Sequence, residues 1–152
     1  MITYADLALY DRYGQLVAAA EIKNTRGTSS DWAAKLRRNI LAHGGFPPVD
    51  FYLIITPDRL YLWKGAGVQP EIIPPTYEAD AQPIFKPYFE RTHVTPADMS
   101  SYAFELLVES WLNDLMRSEK PAEQLANGER WLVESGFLSA IKDGRIEYEA
   151  ET

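Results

Sequence analysis

Asp6, Glu21 and Lys23 are the residues whose types and spacing could do chemistry together. Glu21 and Lys23 flank one isoleucine near the end of the apolar run Leu16 to Asn24, LVAAAEIKN, and Asp6 lies in the preceding segment Ile2 to Tyr10, ITYADLALY. Both segments read as strands, and strand side chains alternate between faces. Val17, Ala19, Glu21 and Lys23 therefore share one face, and Leu16, Ala18, Ala20 and Ile22 the other. A run this apolar is expected to be buried on both faces, where charged groups need partners or a metal. Two carboxylates with a lysine beside them suit metal-assisted phosphodiester hydrolysis. Asp6 and Glu21, helped by the backbone carbonyl of Ile22, would hold a hard divalent cation, Mg2+ or Mn2+. The cation would polarise the scissile phosphate and lower the pKa of a bound water. Lys23 would orient that water or offset charge on the phosphate, and the Ile22 side chain, facing away, would anchor the motif in the core.

That chemistry depends on how the two strands pair. Asp11 to Gly14, DRYG, is the turn between them. A two-residue loop at Tyr13 and Gly14 places Asp6 opposite Glu21, and a four-residue loop from Asp11 to Gly14 places it diagonal to Glu21. Both registers leave the carboxylates on one face. A three-residue loop without a compensating bulge would separate them.

Further along, Ser30 or Asp31 can cap a helix running to about Ala42, with Trp32, Ala33, Leu36 and Ile40 on its apolar face. Lys35 and Arg38 lie on another side, and Arg37 reads with Arg38 as part of a solvated face. Phe51 to Thr56 is a buried strand at the distance a βαβ crossover requires, and Arg59 to Lys64 is an antiparallel strand after it. Pro70 to Pro87 carries five of the ten prolines and reads as an irregular arm, with a short extended piece at Glu71 to Ile73. Thr95 and Pro96 read as the start of a helix whose apolar positions are Phe104, Leu107, Val108, Trp111, Leu112 and Leu115. Shorter helices at about Pro121 to Ser135 and Phe137 to Lys142 and a final strand Arg145 to Tyr148 complete the pattern. The four tryptophans, Trp32, Trp63, Trp111 and Trp131, read as core. His43, near a helix end, reads as a capping or surface residue.

With 152 residues and 46% hydrophobic composition, the expectation is a single α/β domain spanning 1–152: a core at about 2–64, a mixed β-sheet flanked by helices, and a helical C-terminal part at about 95–143. No stretch approaches a membrane span and no basic, apolar leader opens the chain, so a cytoplasmic protein without a membrane partner is expected. The chain has no cysteine and two histidines, which excludes disulfides and thiolate metal sites and favours a metal with oxygen ligands. Net charge is -7, against the basic character that phosphate binding requires. Yet Asp11 to Ile40 carries six basic and three acidic residues, whereas Asp98 to Thr152 carries twelve acidic and five basic. Arg26, Lys35 and Arg38 are the candidate contacts to a nucleic-acid backbone in the basic stretch. A homodimer setting the acidic third of one subunit against the basic stretch of another, or a partner protein, is also expected.

At Asp6, Glu21 and Lys23 the chain resembles the PD-(D/E)xK nuclease superfamily, the restriction-endonuclease-like fold. There an aspartate strand is followed, after a hairpin, by a strand ending in Glu-x-Lys, then a helix and another strand. Ala5 stands where that pattern often has proline. The resemblance covers roughly Tyr4 to Thr56, about a third of the chain. It implies a restriction-endonuclease-like fold and a Mg2+-dependent nuclease acting on nucleic acid, DNA first. The alternative is a catalytically silent module of the same fold that binds a partner protein or nucleic acid. Members of the superfamily commonly carry a helix before the aspartate strand, and only five residues precede Asp6 here. The helix expected at Thr95 to Leu115 is the candidate for its place, with Glu105 or Glu109 as further acidic ligands.

Overall fold

In a computed structural model, residues 5–117 and 129–148 are described. They form an α/β architecture of one six-stranded mixed sheet and five helices. The strands are β1 (Leu7–Tyr10), β2 (Leu16–Ile22), β3 (Phe51–Ile55), β4 (Arg59–Lys64), β5 (Tyr77–Asp80) and β6 (Arg145–Tyr148). The helices are α1 (Ser30–Leu41), α2 (Gln82–Thr92), α3 (Ser101–Arg117), α4 (Arg130–Glu134) and α5 (Phe137–Ile141). Strand order is β5-β4-β3-β2-β1-β6. Among the described strands only β2 and β3 pair in parallel, joined through α1 as the expected crossover. The Ser29 hydroxyl caps α1 by accepting from the Trp32 amide at 3.2 Å.

The hairpin between β1 and β2 solves the register problem with a bulge. Its loop is Arg12 to Gly14: the Asp11 amide donates to the Gln15 carbonyl at 2.9 Å, and the Gly14 amide donates to the Asp11 carbonyl at 3.0 Å. Gly14 takes φ 81°, a left-handed conformation that glycine enters without a Cβ penalty. The Asp11 carboxylate braces the loop by accepting from the Tyr13 and Gln15 amides, each at 2.9 Å. An odd loop would throw the acids onto opposite faces. The ladder instead runs from Tyr10 opposite Leu16 to Leu9 opposite Ala18, leaving Val17 as an extra residue, and continues to Leu7 opposite Ala20. Carried one step further, that register sets Asp6 against Glu21. The bulge also turns Val17 into the cluster of Ala18, Ala20 and Ile22, so strict alternation misplaces it.

Two helical layers sandwich the sheet. One face, bearing Leu7, Leu9, Ala18, Ala20 and Leu53, packs against α2 through α5, where Phe85 meets Phe104 and Trp111 edge-on at 5.8 and 5.5 Å. The other, bearing Ala19, Tyr52, Ile54, Tyr61 and Trp63, packs against α1. Trp63, Trp111 and Trp131 are buried as expected, and Trp32 is half-buried against Tyr61.

Several boundaries differ from the sequence reading. The first strand begins at Leu7, Asp6 sits in a bend before it, and Ile2 to Tyr4 lie outside the described residues. The arm from Pro70 to Pro87 contains β5 and most of α2. Pro83 falls in the first turn of α2, where amide hydrogens lack helical partners anyway, and Pro87 is carried inside the helix while Ile84 and Phe85 are buried. Glu71 to Ile73 is not a strand. It is held by side chains, with Trp63 Nε1 donating to the Ile73 carbonyl at 2.8 Å and Arg37 to that of Glu71 at 3.3 Å. Thr95 bonds Asp98 at 2.9 Å in a local turn, and α3 starts at Ser101, with the Ser100 hydroxyl accepting from the Ala103 amide at 3.1 Å. The helix expected from Pro121 is described only as α4, since 118–128 lie outside the described residues.

β6 reaches β1 through a turn at Gly144, where an added Cβ would lie 1.9 Å from the Tyr10 carbonyl oxygen. Backbone cannot yield as a side chain does. Gly144→Ala is expected to destabilise the fold by about 1–3 kcal/mol, read as a lowered midpoint in urea unfolding.

Candidate active site

Asp6, Glu21 and Lys23 come together where β2 leaves the sheet. The backbone fixes Asp6 there: its Oδ2 accepts from the Ile22 amide at 2.8 Å, so the aspartate closes the open end of the ladder. Glu21 lies beside Ile54 in the parallel pairing with β3, and its side chain is only 12% exposed. Lys23 Nζ stands 3.8 Å from Glu21 Oε1 and is itself 41% exposed, one end reaching the acid and the other water. The Lys23 amide donates to the Ile55 carbonyl at 2.9 Å, which extends the β2–β3 pairing past the motif. Ile22 is buried on the opposite face, the anchoring role its position predicts.

Burial and the neighbouring charge of Asp6 push the Glu21 carboxyl up to about 7; Lys23 opposes the shift, and a side-chain hydrogen bond with Asp6 adds to it. Without a cation, Glu21 therefore holds a proton well above the ordinary carboxylate range. The oxygen-only donor set fits a hard cation, and magnesium is commonly held by one or two carboxylates while it keeps several waters. α3 contributes Glu105, raised by its own burial and then by Asp6, which places it in the field of the pair. It does not complete a ligand cluster: among the described residues no three His, Cys, Asp or Glu side chains converge to hold a metal. Glu109 is engaged elsewhere, accepting from the Tyr148 hydroxyl on β6.

The loop after Lys23 is tied at three points. Asn24 Nδ2 donates to the Met99 carbonyl at 2.9 Å, the Gly27 amide donates to Asp58 Oδ2 at 3.1 Å, and the Thr28 and Tyr61 hydroxyls are 2.7 Å apart. Arg26, between these ties, is exposed. Lys35 is exposed on α1 and pairs with Asp31 at 2.9 Å, and Arg38 is half-buried with its Nε donating to Asn39 Oδ1. His43 is exposed just beyond α1. A groove of about 740 Å³ lies between Pro57, α2 and the segment before α3, lined by Phe89, His93 and Val94 among others. The carboxyl pair is not part of its wall.

Two residues stand outside the sequence reading. Arg37 is fully buried, contrary to the solvated face expected for it. It shares a stripe with Ala33 and Leu41 at i, i+4 spacing, which is the signal that locates it. Gly67 and Glu71 carbonyls accept from its guanidinium at 2.9 and 3.3 Å, and Trp63 lies under it at 5.8 Å. Tyr52, the one hydroxyl-bearing residue within β3, is buried on the Glu21 face.

No family model, curated protein or solved structure matches the chain. Among the described residues, no helix is long and apolar enough to cross a membrane.

The Glu21 shift has a signed consequence for stability. Its carboxyl ionises near 4.5 in the unfolded chain and near 7 in the folded protein. Between those values the native state holds a proton the unfolded chain has released, so stability in metal-free buffer falls as pH rises through the window. At about 1.4 kcal/mol per pKa unit the loss is about 3–4 kcal/mol. Urea unfolding in EDTA at a series of pH values is expected to show this decline, and Glu21→Gln to remove most of it.

Proposed function

We propose that the chain is a Mg2+-dependent nuclease of the restriction-endonuclease-like type that hydrolyses phosphodiester bonds, with DNA as the first substrate to test. The observation that carries this reading is the buried Glu21 carboxyl, set against Asp6 and within 3.8 Å of Lys23 at the end of the β2–β3 parallel pair. Asp6 and Glu21, with the Ile22 carbonyl, would hold Mg2+ or Mn2+. The bound cation would supply Lewis acidity to the scissile phosphate and the attacking water. Lys23, with its side chain 41% exposed, would offset the charge that develops on a bound phosphate. Arg26, presented on a loop held at both sides, is the backbone-contacting residue this geometry favours most. Lys35 and Arg38 lie further along α1 as secondary contacts.

One observation favours a second reading, the catalytically silent module. The two carboxyls lack a third acidic or histidine partner among the described residues. In that case Glu21 keeps its proton and the site serves structure alone, while the surface binds a partner protein or nucleic acid.

Cleavage assays separate the readings. Supercoiled plasmid and labelled single-stranded DNA and RNA are incubated with Mg2+, Mn2+ or EDTA, using wild type, Glu21→Ala and Lys23→Ala purified in parallel. The expected outcome is metal-dependent cutting that falls by about 10²-fold or more in each variant. Absence of cutting by wild type on all three substrates would give the module reading the field.

A further inference from the structure

Among the described residues, two buried side-chain atoms on the α1 side of the sheet have no hydrogen-bond partner, the Tyr52 hydroxyl oxygen and Arg37 Nε. Both side chains are closed off from solvent, Tyr52 at 4% exposure and Arg37 at zero. Buried polar groups left unbonded are costly, and a native fold that keeps them has a bond to make there. Both groups are also fixed in place. Tyr52 is wedged between Phe46 at 5.6 Å and Trp63 at 5.8 Å, so its ring cannot swing to another partner. Arg37 donates one N–H from each terminal nitrogen to the carbonyls of Glu71 and Gly67, which fixes the guanidinium, and its Nε is the nitrogen left without a partner among the described residues.

The register says what they share. Tyr52 pairs with Ala19, two residues before Glu21 on the same face of the neighbouring strand. The charges that act on its hydroxyl are the carboxylates of Glu21 and Asp6 and the guanidinium of Arg37. Burial, first, and Glu21, second, raise the hydroxyl above its ordinary range and keep it a proton donor. A phenol both accepts and donates. With a cation and carboxylates acting on it, the phenol is suited to a place in a hydrogen-bonded chain between them. Among the described residues neither the hydroxyl nor Arg37 Nε has a hydrogen-bond partner, and a buried water, which needs two to four polar partners, would take Arg37 Nε–H and the Tyr52 hydroxyl as donors and a Glu21 oxygen as acceptor.

We propose that Tyr52 is a positioning residue for Glu21: its hydroxyl, oriented by Arg37, passes a hydrogen bond through a buried water to the Glu21 carboxylate and holds that carboxylate toward Asp6. The consequence for cation binding rests on the nuclease reading, whereas the hydrogen-bond chain itself does not.

Tyr52→Phe removes one oxygen and keeps the ring that packs on Trp63 and Phe46. If the chain operates, the Mg2+ concentration for half-maximal cleavage rises about ten- to a hundredfold in this variant, the usual cost of losing an outer partner of a metal ligand. An unchanged Mg2+ dependence would overturn the proposal, since a merely structural hydroxyl would alter the unfolding midpoint and leave that dependence alone. A second readout needs neither metal nor activity. Proton NMR of wild type should show a slowly exchanging hydroxyl resonance that is absent in Tyr52→Phe and displaced in Glu21→Gln. A hydroxyl proton averaged with solvent, or one indifferent to Glu21→Gln, refutes the chain whether or not the protein cuts nucleic acid. A chain intact in a protein that does not cut would mean that the nuclease reading has failed and the positioning role has not.

Discussion

One residue of slip between β1 and β2 would send Asp6 and Glu21 to opposite faces of the sheet, and the structure spends a glycine, an aspartate and a bulge on preventing it. Gly14 closes a three-residue loop, Asp11 braces it, and Val17 is squeezed out of the ladder so that the pairing regains the register an even loop would have set. The bulge lies close to the turn and the acids at the far end of the strands, so the intervening Leu7–Ala20, Ala8–Ala19 and Leu9–Ala18 pairs carry the correction along. Three consecutive alanines at zero exposure make that stretch tolerant: they have little volume on either face, so both helical layers can approach a strand that carries charge at its end.

Electrostatics then defines the site. A carboxyl with 12% of its side chain exposed, beside a second carboxyl, cannot ionise at the ordinary value. It must hold a proton, or a cation must replace that proton. Lys23 offers partial compensation only, since its ammonium is 3.8 Å away and partly in water. The same strand-end geometry anchors what surrounds the acids. Asp58, in the turn after β3, accepts from both the Gly27 amide and the Thr56 hydroxyl, tying the loop beyond Lys23 to the neighbouring strand. The charge-bearing motif is thus held by backbone on one side and by a bonded loop on the other.

Much of this was legible in the residues alone. The apolar run ending in Glu-Ile-Lys, the crossover through α1, and the antiparallel β4 follow from periodicity, because each is an element whose local preference and tertiary burial agree. The hairpin register was legible as a small set of alternatives, and the bulge chose among them. What was hidden depended on contacts between distant segments. Arg37 reads as surface until Gly67 and Glu71, some thirty residues on, are known to lend it carbonyls. The proline-rich arm reads as irregular until the burial of Ile84 and Phe85 stabilises α2. Tyr52 reads as one more apolar aromatic in FYLII, and only its pairing with Ala19 puts it on the face that carries Glu21.

The central claim is that Asp6 and Glu21 form a cation site in which a metal ion takes the place of a proton. Titration calorimetry with Mn2+ near pH 6.5, repeated in two buffers of different ionisation enthalpy, tests it most directly. The account predicts binding accompanied by release of up to about one proton per ion, with both the binding and the release lost in Glu21→Gln. Absence of binding by wild type, or binding with no proton released and unchanged by Glu21→Gln, would contradict it.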